Sequence, residues 1–284
     1  MLPSWEVTIF ANGKITVRGT FELIKRKDFV SNRPLNSTIT VSKQRIHLSR
    51  RGGLEITLDA FAENENYAIK AALTFLGYSI DVLSHKSGLP INLSLYPSEN
   101  FQMEHQPALR EITQIEFSDC FDESRLLRLT EPAFLNALSW YRKGLCSENS
   151  IDKFIGYWNS IEVLAANYHI RNLHTIKGIK NQIWSIMHQL YGNPGNWLIV
   201  NSDEEFIEKI YSLRNKIFHG SGEIGQSGFI EGIINIVPEI QFVSGRLLSD
   251  WRINILKPEE KINQEIRNRL DPDYWFYFET SETN

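Results

Sequence analysis

The feature that most restricts the fold is a change of hydrophobic period part-way along the chain. In the first 115 or so residues, apolar side chains alternate in short runs: Trp5–Phe10, Lys14–Phe21, Thr38–Val41, Arg45–Leu48, Leu54–Leu58, Ile91–Leu95 and Ile112–Phe117. That spacing is the signature of half-buried strands. Asn12-Gly13, between the first two runs, reads as a hairpin turn. One helix interrupts the strands, since Ile69, Ala72, Leu73, Leu76, Ile80 and Leu83 recur at helical spacing before Gly88-Leu89-Pro90 ends the segment. After Phe121 the helical period takes over. Phe134, Leu138, Tyr141 and Leu145 mark one stripe, and a second helix is expected over about 151–168 behind the cap Asn149. A third is expected over about 176–190. A fourth opens on the capping box Ser202–Glu205 and carries Phe206, Ile210, Leu213 and Ile217. Two more are expected, from Phe229 and from Pro238 to Ile253. The expected fold class is α+β: a mostly antiparallel α+β domain over 1–125, then an all-α bundle over 126–284. The aromatic tail Asp273–Phe278 is expected to pack on the protein or on a partner.

Composition narrows the class without naming an activity. The net charge is −4, from 30 basic and 34 acidic residues, so no overall basicity advertises a nucleic-acid partner. The charge is uneven, however. Residues 1–58 carry ten Lys/Arg against four Asp/Glu, whereas 126–284 carry sixteen against nineteen. The basic start, including Lys25, Arg26, Lys27, Arg33 and Lys43, suits either phosphates or a strand edge protected from aggregation. Two cysteines, Cys120 and Cys146, cannot build a disulfide framework or a four-thiolate zinc site. No apolar run approaches the ~20 residues of a bilayer span, and Met1–Phe10 lacks a basic start followed by an apolar core. The expectation is a reduced, cytoplasmic protein with no membrane segment.

Chemistry concentrates in Arg214-Asn215-Lys216-Ile217-Phe218-His219, at the end of the fourth expected helix. Asn215 and His219 are four residues apart and share a face. Arg214 precedes His219 by five, about 140° around an ideal helix, and its long side chain can still swing toward the same cleft. A guanidinium grips a phosphate through two hydrogen bonds, while an imidazole near neutrality moves protons. Together they suit cleavage of a phosphodiester without a metal. The competing reading is a histidine that caps the helix beside an arginine in a structural ion pair.

R-N-x-x-x-H at a helix end, inside an all-helical half, resembles the HEPN superfamily (higher eukaryotes and prokaryotes nucleotide-binding). The segment from Lys153 to Leu164, aromatic-rich and carrying Glu162, resembles the preceding helix of its ApeA-like branch. The layout as a whole is also similar to MauJ-like proteins, a label that assigns no chemistry. The resemblance covers about residues 130–255. It implies a helical bundle that forms a homodimer through the motif face, with a composite site and no metal or other cofactor. Active members are endoribonucleases in which the 2′-hydroxyl attacks the adjacent phosphate, leaving a 2′,3′-cyclic phosphate and a 5′-hydroxyl. By resemblance, Arg214 would stabilise charge developing on phosphorus, His219 would transfer protons, and Asn215 would orient one of them. Many members are toxins or antiphage effectors with an antitoxin or regulatory partner. Others have lost activity and serve as dimerisation or nucleotide-binding modules.

Glu162 stands out independently. On a helix it lies in line with Ile155, Trp158 and Ala165, so a carboxylate falls on an apolar stripe and requires a partner. Paired with Arg214, Glu162 would belong with the catalytic residues; paired with another arginine such as Arg142, it would merely fix the bundle. Gly220–Gly225 matches G-x-G-x-x-G but follows a helix rather than a strand, which removes the dinucleotide-binding context. Arg171-Asn172-Leu173-His174 looks like a shortened motif with the wrong spacing, and the remaining histidines are isolated.

Overall fold

A computed structural model describes residues 3–29, 33–43, 52–96, 109–200, 205–219 and 227–267. It is α+β, with an antiparallel sheet in the N-terminal region followed by helices. Two compact units can be distinguished. The first holds the described residues up to Leu83, Leu89–Glu123 and those from Ile262 on; the second holds Ser84–Gly88 and Ser124–Lys261.

The first unit is built on five antiparallel strands in the order β3-β4-β5-β1-β6. These are β1 (Ser4–Asn12), β3 (Thr20–Phe29), β4 (Arg33–Lys43), β5 (Leu54–Phe61) and β6 (Asn92–Ser94). Two short strands, β2 (Ile15–Thr16) and β7 (Arg110–Glu111), pair in parallel apart from that sheet. Alternation works as the sequence suggests: Val7, Ile9 and Ala11 on β1 and Leu54, Ile56, Leu58 and Ala60 on β5 are buried. Helix α1 (Glu65–Ser87) buries Ala68, Ala72, Phe75 and Leu76. Helix α2 (Gln114–Thr130) ties these layers together, its Phe117 meeting Phe21 at 5.9 Å and its Phe121 meeting Phe75 at 5.0 Å.

Three expectations change here. Asn12-Gly13 does not close a hairpin, because β1 pairs with β5 and β6 while β2 pairs with β7. Gly13 serves a close approach instead: a Cβ there would lie 2.6 Å from the carbonyl oxygen of Pro90. The run Lys14–Phe21 is broken at Gly19, whose φ of +75° few other residues adopt, so β3 starts only at Thr20. The strand expected over Ile112–Phe117 is the start of α2. Thr113-Gln114-Ile115-Glu116 has the spacing of a capping box, and Thr113 Oγ1 accepts the Glu116 backbone N–H at 3.1 Å. The run Arg45–Leu48 lies outside the described residues.

The second unit contains α3 (Pro132–Cys146), α4 (Ser150–Tyr168), α5 (Ile179–Tyr191), α6 (Phe206–His219), α7 (Ser227–Trp251) and the start of α8 (Pro258–Arg267). Asn149 caps α4 as expected, its Oδ1 accepting the backbone N–H groups of Ile151 and Asp152. Helices α3 and α4 approach to backbone contact at Gly144 and Gly156, where a Cβ on Gly156 would meet the Gly144 Cα at 2.6 Å. Helix α4 buries Phe154, Tyr157, Trp158, Ile161 and Leu164, helix α7 buries Ile233, Ile236, Ile240, Val243 and Leu247, and the two helices pack on each other. The two helices expected from Phe229 and Pro238 are the single α7, with Pro238 inside it. Proline removes the hydrogen bond to the carbonyl of Ile234, and Ile234 is 51% exposed, so water can satisfy that carbonyl. Most of the capping box Ser202–Glu205, the loop Gly220–Gly225 and the tail Asp273–Phe278 lie outside the described residues.

Candidate functional site

Helix α6 turns Phe206, Ile207 and Ile210 into the core of the second unit, which fixes where the rest of the helix faces. Leu213 and Ile217, expected on the same stripe, are only half-buried, so the C-terminal half of α6 rises toward solvent. Arg214 and Asn215 are half-buried there, and Phe218 and His219 are exposed. The arginine is held by its own helix. Its guanidinium stacks on the Phe218 ring, Cζ 4.6 Å from the centroid, and one terminal nitrogen donates to Asn215 Oδ1 at 3.2 Å. Its Nε is buried and has no hydrogen-bond partner. No carboxylate among the described residues pairs with it, so the structural ion pair of the competing reading is not formed among them.

His219 ends α6 with an exposed ring that makes no side-chain hydrogen bond or ion pair among the described residues. It does not act as the capping donor of the competing reading. Arg214 and Asn215 are thus brought together, and His219 follows one turn later, its imidazole without a partner among the described residues.

Glu162 is engaged elsewhere. It is half-buried, and its Oε2 accepts the indole N–H of Trp158, one turn earlier on α4, at 2.5 Å. Neither expected partner, Arg214 or Arg142, pairs with it among the described residues. The reason is local: i and i+4 residues are neighbours on a helix, so a neutral donor reaches the carboxylate without any second element. Trp158 is itself clamped, fully buried and 6.1 Å from the ring of Tyr211 on α6. Trp158 is the partner that the sequence reasoning missed; the Trp158-x-x-x-Glu162 spacing was the available signal. Phe218, four residues after Arg214, was likewise overlooked as a cation–π partner.

A separate open groove of about 470 Å³ lies in the second unit, lined by His85, Tyr141, Gln241, Phe242, Arg246 and Ser249 among others. None of the four motif residues lines it. Among the described residues no group of three His, Cys, Asp or Glu side chains is placed to hold a metal ion, and no helix is long and apolar enough to cross a membrane. Comparison with known proteins brings no match: no family model, no curated protein and no solved structure is significantly similar to this chain.

In chemical terms α6 offers an arginine with donors to spare, pre-oriented by a ring and an amide, and a solvent-facing imidazole one turn on. An arginine so arranged receives an anion without first breaking an ion pair.

Proposed function

We propose that the second unit is a HEPN-type, metal-independent endoribonuclease that acts as a homodimer in the cytoplasm, within a toxin or antiphage system. The observation that carries this reading is Arg214: a half-buried guanidinium, stacked and oriented, with no carboxylate among the described residues spent on it. In the reaction, the ribose 2′-hydroxyl attacks the neighbouring phosphorus and the bond to O5′ breaks. The products are a 2′,3′-cyclic phosphate and a 5′-hydroxyl. His219 relays the proton lost by the 2′-hydroxyl and gained by O5′. Arg214 holds the non-bridging oxygens as charge builds on them, and Asn215 keeps the guanidinium in its plane. Arg214 and His219 are about 140° apart on one helix, so a site shared by two α6 helices brings an arginine of one protomer to a histidine of the other more easily than one helix alone does. Glu162 acts through Trp158, by fixing the ring that packs on α6, and does not touch RNA.

The test is incubation of total RNA with the protein in EDTA, beside Arg214→Ala and His219→Ala. Cleavage by the wild type, with 2′,3′-cyclic phosphate ends, and losses of 10²-fold or more in each variant are expected. No cleavage under any condition, or equal cleavage by all three proteins, overturns the reading. A second reading, a non-catalytic module that docks a nucleotide, RNA or protein partner such as an antitoxin, is favoured by one observation: residues 126–284 carry nineteen acidic against sixteen basic residues, the wrong sign for an RNA enzyme.

A further inference from the structure

That acidic excess is not uniform. Between Glu162 and Asp203 the chain contains no acidic residue, while Arg171, Lys177 and Lys180 are basic and His174 lies among them. The structure gathers these cations at the connection from α4 into α5. Arg171, His174 and Lys177 are exposed, and neither Arg171 nor Lys177 forms an ion pair among the described residues.

The loop that carries them is firmly built. Asn172 Oδ1 accepts the backbone N–H groups of His174 and Thr175 at 2.8 and 3.0 Å. Thr175 is buried and its Oγ1 accepts the Asn172 N–H at 2.9 Å, while the Ile170 N–H donates to Ser185 Oγ on α5 at 3.1 Å. A cation on such a loop is presented without the ordering cost of a floppy segment.

Contacts then lead from the helix that follows this loop to the motif. Lys180, in the first turn of α5, is 2.7 Å from Glu208 on α6 and stands over the Tyr211 ring at 5.1 Å. Tyr211 lies one turn before Arg214 and Asn215 on α6, so their side chains are neighbours. Arg171, Lys177, Lys180 and Arg214 thus lie in one unit, on the α4–α5 connection, α5 and α6, with the carboxylate of Glu208 paired to Lys180.

We infer that these cations mark the track along which the sugar–phosphate backbone of single-stranded RNA lies on its way to Arg214, with Arg171 and Lys177 as phosphate contacts outside the cleavage site. The inference rests on the nuclease reading for its choice of polyanion, and names where that substrate is held. Arg171 and Lys177 are positioning residues: they bind phosphates remote from the bond that breaks.

The test uses the full chain and a fluorescein-labelled 2′-O-methyl oligouridylate, which lacks the attacking hydroxyl and reports binding alone. Anisotropy is followed over a salt series for wild type, Arg171→Glu/Lys177→Glu and the milder Arg171→Gln/Lys177→Gln, each checked for folding by circular dichroism. For the wild type, log K falls linearly with log salt; the slope becomes shallower by about 0.7 per phosphate contact removed, or about 1.4 for both. If wild type never cuts RNA yet shows this pattern, the track stands and the nuclease reading falls. If the charge-reversed protein binds the oligonucleotide with unchanged affinity and slope, the track falls, whether or not the enzyme cuts. Capture of polyglutamate in place of the oligonucleotide at these residues also overturns it, in favour of an acidic protein partner.

Discussion

Trp158 and Glu162 allow the sharpest test of how the helical unit holds α6 in place. The indole N–H of a fully buried ring donates to a half-buried carboxylate at 2.5 Å, and the same ring packs on Tyr211. Glu162→Ala strands a buried N–H, which costs about 1–3 kcal/mol. Trp158→Phe removes the donor and also part of a well-packed ring, so its cost exceeds that of the lost hydrogen bond. A hydrogen bond to a charged group contributes roughly 1.5–3 kcal/mol. Partial exposure of Glu162 lets water replace some of that, so the coupling energy from the four-protein cycle should be about 1–2 kcal/mol. Urea unfolding, with the m-value unchanged across the set, measures it. Additivity within ~0.3 kcal/mol would refute the claim that the indole satisfies this carboxylate. The cycle also separates two roles for Glu162. If it acts through Trp158, Glu162→Gln, which keeps an acceptor for the indole, leaves RNA cleavage within about tenfold of wild type, in contrast to the larger loss expected for an acid–base residue such as His219.

Three further outcomes follow from the packing. Gly156→Ala improves helix propensity by about 1 kcal/mol, but its Cβ meets the Gly144 Cα and N, both at 2.6 Å, and overpacking of this kind costs typically 1–3 kcal/mol. Thermal unfolding should therefore shift down by a few degrees; an upward shift would mean that α3 and α4 are not in backbone contact. Burial, and secondarily the Glu6 carboxylate facing it across β1 and β5, raise the pKa of Asp59 above 3.8. The native state then holds this proton more tightly than the unfolded chain, so the Asp59 contribution to stability is fully present below pH 3.8 and declines as pH rises through the raised value. Glu6→Gln should lower the Asp59 midpoint in an NMR titration, and no movement would contradict the assigned interaction. Thr113→Ala removes the acceptor that caps α2 and should destabilise the first unit by about 1 kcal/mol in urea, whereas Thr113→Ser should be nearly neutral.

Much of this architecture was legible in the chain because it depends on local periodicity. The helical stripes of α3, α4 and α6, the Asn149 cap and the alternation of β1 and β5 all follow from residues close in sequence. The failures were also physical. Asn12-Gly13 looks like a hairpin by local chemistry, but β1 finds its partners in β5 and β6, and only that pairing shows why a side chain cannot stand at Gly13. Ile112–Phe117 alternates for too few residues to distinguish strand from helix, and the capping threonine should have decided it. Pro238 reads as a helix start because proline favours the first turn, yet α7 runs through it where the freed carbonyl faces water.

By itself, then, the sequence determined the change from strands to helices along the chain, the placement of Arg214, Asn215 and His219 at a helix end, and the presence of a carboxylate on an apolar stripe of α4. These are matters of spacing along one chain segment, set by the 3.6- and 2-residue periods. Only the tertiary structure decided who pairs with whom. It gave Glu162 to Trp158 rather than to an arginine, left the Arg214 guanidinium stacked on Phe218 without a counter-ion among the described residues, and joined α5 to α6 through Lys180 and Tyr211. Spacing places a group on a face, but which oppositely charged or polar group meets it depends on how remote segments pack. That choice determines whether a cation is consumed in holding the protein together or is left to meet a substrate.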